Sequence, residues 1–273
     1  MVRAIVALTC LLSGSCLWAF AEEQSSYPSF DYGAARAHET QRYRHTIALA
    51  GVRPGFHQVH VTVTVSSVGD VISVDADPEP DLAKFRPKIQ SEITQWKFRP
   101  FEIEGKSVVA NLEEYIDLVP AQRLPTKHVI PPVLRPNSRV RIQLRRSACF
   151  GRCPVYTVVV TTEGIVFDGA RFVAATGKHT DKTEPAKVRG LAKRFIDSDF
   201  YSMDSKYAAT VTDNPTYVLY ISIDGHAKEV VDYVGSWEGM PAVITDLEEE
   251  VDAFAHTARW IKGPNQMAPE AEP

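Results

Sequence analysis

Cysteine is scarce in this chain. Four cysteines in 273 residues are too few for a scaffold in which disulfides replace a core. Excess positive charge is also missing: 30 Lys+Arg stand against 34 Asp+Glu, a formal charge of -4. Such a chain has no cationic field for holding a phosphate backbone, which removes nucleic acid as a partner. No G-x-S-x-G, H-E-x-x-H, S-x-x-K or Walker-type loop occurs, so no hydrolase or nucleotide-driven activity is expected and no cofactor is called for. Apolar and charged residues make up 44% and 23%, ordinary values that exclude wholesale disorder and a multi-span membrane protein. The length suits two domains.

What is present begins with an address. Arg3 precedes an apolar run over 4–18, which closes on Ala19-Phe20-Ala21 before Glu22-Glu23. A short positive start, an apolar centre and small residues before the cut describe a Sec-type signal peptide cleaved after Ala21. An uncleaved anchor is the competing reading, but about 18 apolar positions are marginal for a bilayer of about 30 Å. Lipidation at Cys16 is disfavoured, because Ser13-Gly14-Ser15 lacks the large aliphatic residue wanted before the cysteine. Export to the periplasm follows as an expectation, with no stable membrane span after cleavage. Only Cys149 and Cys153 then remain, and in an oxidising compartment a leftover pair is expected to be joined.

Residues 22–54 are polar and read as a flexible lead-in, with helix-compatible spacing only around 34–43. Val59, Val61, Val63 and Val65 alternate as in a half-buried strand. Gly69-Asp70 turns the chain into a second strand over 71–74, which Asp77-Pro78-Glu79-Pro80 ends, since proline cannot donate to the ladder. Leu82, Phe85, Ile89, Ile93 and Trp96 recur at helical spacing, and Pro87 places the start of the regular helix near Arg86. A strand over 107–118 follows. Five prolines at 120, 125, 131, 132 and 136 mark an extended, semi-stiff linker over 120–138.

Beyond the linker, alternation over 140–144, a hairpin over 155–167, helical spacing at Val188, Leu191, Ala192, Phe195 and Ile196, and a hairpin turning at Asp224-Gly225 precede a last helix. That helix opens at Pro241 and carries an apolar stripe from Val243 to Ile261. The expected fold class is α+β in two small domains, β-β-α-β over 55–119 and ββαββα-like with antiparallel hairpins over 139–262, before a disordered tail at 263–273.

Gly69-Asp70-Val71, the helix, Trp96-Lys97-Phe98-Arg99-Pro100-Phe101 and the valine-rich strand after Gly105 together resemble the C-terminal domain of TonB energy transducers. The resemblance covers about 55–119. It implies a periplasmic module that binds an envelope protein or peptide through an exposed strand edge, here beside 108–118. The stretch Cys149-Phe150-Gly151-Arg152-Cys153-Pro154-Val155-Tyr156 resembles a bacterial domain family of unknown function with a C-x-G-x-C-P-x-Y signature, matched over about 139–262. That family implies no activity. Trp96, Phe98, Pro100 and Tyr156 are the candidate binding residues.

Gly151 lets the loop fold back so that Cys149 and Cys153 can meet in a disulfide that sets local geometry. The rival is a periplasmic copper- or thiol-handling protein, in which two thiolates and one of His179, His226 or His256 suit soft Cu(I). Asp204, Asp213, Asp224 and Asp232 lie near turns and strand ends, where aspartate caps backbone. Glu248-Glu249-Glu250 reads as the solvated face of the last helix. Arg145, Arg146 and Arg152 form a small basic spot able to meet an acidic partner or to discourage edge pairing. The function expected is therefore that of an exported, non-catalytic envelope protein with a binding or scaffold role.

Overall fold

A computed structural model describes residues 27–41 and 43–262. The expected leader (1–21) and tail (263–273) lie outside the described residues. The chain is mixed α+β, with antiparallel pairs dominating. It forms two compact units: the described residues up to Tyr43 join 60–76 and 86–114 in one, while 44–59, 77–85 and 115 onward form the other.

In chain order the first elements are β1 (Ser29–Phe30), α1 (Tyr32–His38), β2 (Thr46–Leu49), β3 (Gln58–Val65), β4 (Val71–Asp77), α2 (Arg86–Ile93), β5 (Phe101–Ile103), β6 (Lys106–Val108) and β7 (Ala110–Pro120). The alternating valines of β3 are all buried, as a period of two requires for a strand with one apolar face. Helix α2 starts at Arg86 with Pro87 in its first turn, where the missing N–H costs nothing. The hairpin between β3 and β4 turns at Gly69 (φ 93°), whose carbonyl accepts from Phe98 N at 2.9 Å. A Cβ at Gly69 would lie 1.9 Å from the Phe98 carbonyl oxygen, so only glycine lets the two backbones cross there.

Two expectations are corrected in this region. Residues 22–54 are not a loose lead-in where they are described. Asp31 caps α1 by accepting from Ala34 N at 2.9 Å, and Ala35, Ile47 and Leu49 are buried. Nor is the edge of the strand over 108–118 open along its whole length, since β1 pairs at Asn111 and Leu112 and β2 from Asp117 to Pro120. The sheet order is β1-β7-β3-β4 with β2 also on β7, and β1 and β2 both run parallel to it. Asp117 N donates to His45 O at 2.9 Å while Leu118 N donates to His57 O at 2.7 Å, so successive N–H groups of β7 are taken on opposite sides. The alternating apolar residues of 46–49 find burial only by joining this sheet.

The remaining elements are β8 (Val140–Arg146), β9 (Val155–Thr161), β10 (Gly164–Arg171), β11 (Gly177–Asp181), α3 (Pro185–Asp197), β12 (Lys206–Ala208), β13 (Tyr217–Ile223), β14 (His226–Tyr233), α4 (Ala242–Ala255) and α5 (Ala258–Ile261). They build a seven-stranded sheet ordered β11-β10-β9-β8-β13-β14-β12. Asp224 and Gly225 both have positive φ (50° and 89°), the geometry of the tight turn expected there. Among the strands the ββαββα expectation missed are β11, which is polar and shows no alternation, and β12, which is three residues long around the buried Tyr207. The last helix stops at Ala255, where His256 takes a left-handed conformation (φ 51°), so the apolar stripe to Ile261 is carried by two helices.

One face of the sheet meets α3 and α4. Val188, Leu191, Ala192 and Phe195 from α3 and Ile244, Leu247, Val251 and Ala255 from α4 bury against Ile142, Leu144, Val158, Val160, Leu219 and Ile221. Each large aliphatic or aromatic side chain taken fully from water here stabilises by about 1.5–3 kcal/mol. Residues 121–139 hold no helix or strand but are tied down: Arg123 N donates to Gly239 O at 2.7 Å, and Val129 N to Ser202 Oγ at 2.8 Å.

Candidate functional site

Strand periodicity and register bring a polar row across this otherwise apolar face. Arg146 follows Val140, Ile142 and Leu144 on the core side of β8. It pairs with Tyr156 on β9 and with Tyr217 on β13, Tyr217 pairs with Asp232 on β14, and Asp232 pairs with Tyr207 on β12. Directly opposed residues point to the same face, so these five side chains lie in one line. The line sits at the end of β8 and the start of β9, and the cysteine loop joins those two strands.

Helix α4 completes the row from above. Arg146 donates to Asp252 Oδ2 from Nε at 3.1 Å and from Nη2 at 2.7 Å. Tyr156 Oη donates to the same carboxylate at 2.8 Å, and Thr257 Oγ1 donates to Asp252 Oδ1 at 2.9 Å. The Arg146 guanidinium also lies 4.1 Å from the centre of the Tyr217 ring. Burial lowers the Arg146 pKa, but Tyr156 and Asp252 outweigh it and hold the guanidinium above its ordinary value. Burial, then the Asp252 charge, pushes the Tyr156 hydroxyl up, so it remains a donor.

Two further carboxyls lie near this pair. Asp232 accepts from Gly235 N at 2.6 Å and is raised by burial. A Cβ on Gly235 would come within 2.8 Å of Asp232 Oδ1, Met240 Sδ and the Tyr207 Cβ, so the close turn requires glycine. Glu248 is 1% exposed, and its Oε1 has no hydrogen-bond partner among the described residues. Burial, then the charges of Asp232 and Asp252, pushes its carboxyl up to about 9. It is a neutral acid at pH 7, a form that avoids placing a third negative charge beside one arginine.

This corrects the reading of Glu248-Glu249-Glu250 as a solvated face. Glu249 is exposed and Glu250 pairs with Arg194 at 2.7 Å, but Glu248 lies four residues after Ile244 and three before Val251, on the buried stripe. That spacing was readable. Asp252 and Thr257 were missed because nothing local marks a partner that arrives from a strand 106 residues away.

Above the row, Cys149 and Cys153 are joined, with Cα atoms 5.8 Å apart. The loop is anchored at its base: Ser147 N donates to Thr216 O at 2.9 Å, Thr216 N to Ser147 Oγ at 2.7 Å, and Phe150 N to Asp213 O at 2.9 Å. Phe150 itself is 88% exposed. Beside the loop the Arg152 guanidinium lies 5.8 Å from the Phe172 ring, and Arg171 lies 5.0 Å from the same ring. Two aromatic rings and two arginines therefore stand at the end of the sheet on a staple, a brace and a turn.

The other expected site residues fall as follows. Trp96 and Phe98 are buried, with the Tyr43 ring stacked on Trp96 at 5.0 Å and its Oη accepting from Lys97 N at 2.6 Å. Pro100 is exposed and Tyr156 is buried in the row. Asp224 caps backbone as expected, accepting from Arg139 N at 2.8 Å and Ser138 Oγ at 2.7 Å. His179 Nε2 lies 2.9 Å from Thr176 O, and no group of three or more His, Cys, Asp or Glu able to hold a metal occurs among the described residues. No described helix is long and apolar enough to cross a membrane.

Comparison with known families finds a similarity over the same segment. Residues 140–255 match the family described as Domain of unknown function (DUF6438). The match runs from the start of β8 to the end of α4, and so contains the polar row, Glu248, Asp252 and the cysteine loop. No curated protein and no solved structure matches the chain.

Proposed function

We propose that the protein is an exported, non-catalytic envelope protein that works by binding, and that the disulfide-closed loop is its recognition surface. The observation that carries this is the 88% exposure of Phe150 on a loop closed by Cys149–Cys153 and hydrogen-bonded at its base. A large ring costs free energy in water, and fixing it in advance lowers the entropy lost on association. Rings accompanied by arginines are the residue types that dominate binding energy at interfaces. Arg152 and Arg171 select a partner segment that is both acidic and apolar.

The buried row supports this role by holding the ends of β8 and β9 together under the loop. Its hydroxyls donate to Asp252 beneath α4, and we read that arrangement as structural. Export is supported by the leader composition over 1–21, and residues 55–119 act in this reading as a TonB-C-like module, supported by the order β3, β4, α2 and, after the added β5–β6 hairpin, β7. Any strand addition there uses the outer edge of β4 or the stretch of β7 between its pairs with β1 and β2. The copper or thiol alternative needs both sulfurs as thiolates, whereas here they are bonded to each other.

The test is a photo-reactive side chain placed at position 150 of the full chain in cells of the source organism. One discrete protein adduct is expected, lost with R152E and R171E. Adducts unchanged by both charge reversals would overturn the assignment.

A further inference from the structure

The Cys149–Cys153 bond fixes a loop tip and not the domain. It joins residues four positions apart, and tying so short a stretch removes little entropy from the unfolded chain. Neither cysteine belongs to the buried cluster between the sheet and its helices. The strands on either side are secured without it: Ser147 and Thr216 exchange hydrogen bonds at 2.9 and 2.7 Å, and β8 pairs with β9 from Arg141↔Thr161 to Arg146↔Tyr156. What the bond holds is Phe150-Gly151-Arg152, which is otherwise tied to a neighbouring loop by Phe150 N, the donor to Asp213 O at 2.9 Å.

The bond is also within reach of a reagent. Both cysteines are half-buried, and the three residues between them are exposed. A Cβ on Gly151 would meet Cys149 Sγ at 3.7 Å and, its chain neighbours aside, nothing else within 4 Å. A side chain there would cover that sulfur, and glycine leaves it open. Arg152 directly precedes Cys153, and its positive charge favours a thiolate leaving from that sulfur. Solvent-reached disulfides are the more labile class, from which regulatory bonds are drawn.

We propose that Cys149–Cys153 is a reversible switch, opened by a dithiol reductant, that turns binding at Phe150 off. This rests on reading the loop as the recognition surface. One thiolate of the reductant attacks Cys149 Sγ, and the S–S bond breaks with its electron pair leaving on Cys153 Sγ, which takes a proton. The second thiolate then attacks the mixed disulfide and releases Cys149, which is protonated in turn. The loop gains two electrons and two protons, and the reductant ends as a disulfide. Once parted, the cysteines no longer hold Phe150 at 88% exposure. The ring then folds down toward Phe172, a 40% exposed ring beside Arg152, and hides apolar surface from water.

The first measurement needs no partner. Dithiothreitol is added to the folded full chain, free thiols are counted by alkylation and mass, and amide exchange is followed by NMR. Two thiols are expected without denaturant. The Phe150 amide should exchange at least tenfold faster, the Val158 and Leu219 amides should be unchanged, and reoxidation should restore the original rates. Reduction only in denaturant, an unchanged Phe150 amide, or faster exchange throughout β8 and β9 overturns the switch. The second measurement places a photo-reactive phenylalanine analogue at 150 and compares the oxidised chain, the reduced chain and C149S/C153S in envelope extract. The adduct of the oxidised chain should fall at least tenfold in the other two, and the serine variant shows that opening of the loop, without any reductant, is enough. Loss on reduction alone places the redox step on the partner and overturns the switch. Equal adducts in all three overturn the switch and leave the loop's role in binding standing. An adduct from none removes the recognition surface itself, and the switch with it.

Discussion

Two aromatic motifs that look alike in the sequence meet opposite fates in the fold. Trp96-Lys97-Phe98-Arg99-Pro100 and Cys149-Phe150-Gly151-Arg152-Cys153-Pro154-Val155-Tyr156 both set rings beside a proline and basic residues. In the first, both rings are buried, and Tyr43 lies stacked over Trp96. In the second, Tyr156 goes down into the row while Phe150 stands in water. The first motif lies between α2 and β5, where Tyr43 from a distant segment covers it. The second is closed on itself by a disulfide, which holds Phe150 out where collapse would otherwise hide it. An aromatic in a motif is a contact for a partner only when the chain itself supplies nothing to cover it.

The contrast can be broken by substitution. Trp96→Ala should cost the most, about 4 kcal/mol, as expected for emptying a large buried ring site, read from urea unfolding of the full chain. A cost below about 1 kcal/mol would mean that the ring is not part of a core. Next, Asp252→Ala strips Arg146 of its carboxylate in a place where both side chains are 18% exposed. A loss of about 3 kcal/mol is expected, because a mostly buried charge is left unpaired. Tyr156→Phe should cost about 1 kcal/mol by removing the hydroxyl alone.

Glu248 sharpens the comparison through pH. Its folded pKa, pushed up to about 9, lies above the ordinary carboxyl range, so the folded chain binds more protons than the unfolded one between about pH 4.5 and 9. Stability from this group is fully present below that window and is lost as pH rises through it. Asp232, also raised by burial, acts with the same sign. Glu248→Gln should flatten the decline, making the variant more stable than the parent at pH 9 by on the order of a few kcal/mol. Parallel pH profiles for the two chains would contradict a buried neutral acid. The smallest stability effect belongs to Phe150→Ala, within about 0.5 kcal/mol, together with loss of the adduct partner's binding. A large stability loss would place that ring in a core after all.

Much of this was legible beforehand. Val59 to Val65, the Asp224-Gly225 turn, the helix start at Arg86 and the Cys149–Cys153 pair all rest on local rules of alternation, turn chemistry and proline placement. The polar row was not legible, because Arg146, Tyr217 and Asp232 come together through strand register across gaps of 71 and 15 positions in the chain. Glu248 could have been read from its place on the α4 stripe, had helical spacing been weighed above its charge.

By itself the sequence determined the type and near-boundaries of most elements, the glycine at the β3–β4 turn and the two cysteines that can meet, since each depends on residues close in the chain. The tertiary structure alone decided that β1 and β2 pair with the two ends of β7, that Trp96 is covered while Phe150 is bare, and that Asp252 answers Arg146 and Tyr156. Those outcomes depend on which surfaces arrive opposite one another, and burial and charge pairing are properties of that arrival rather than of any local run of residues.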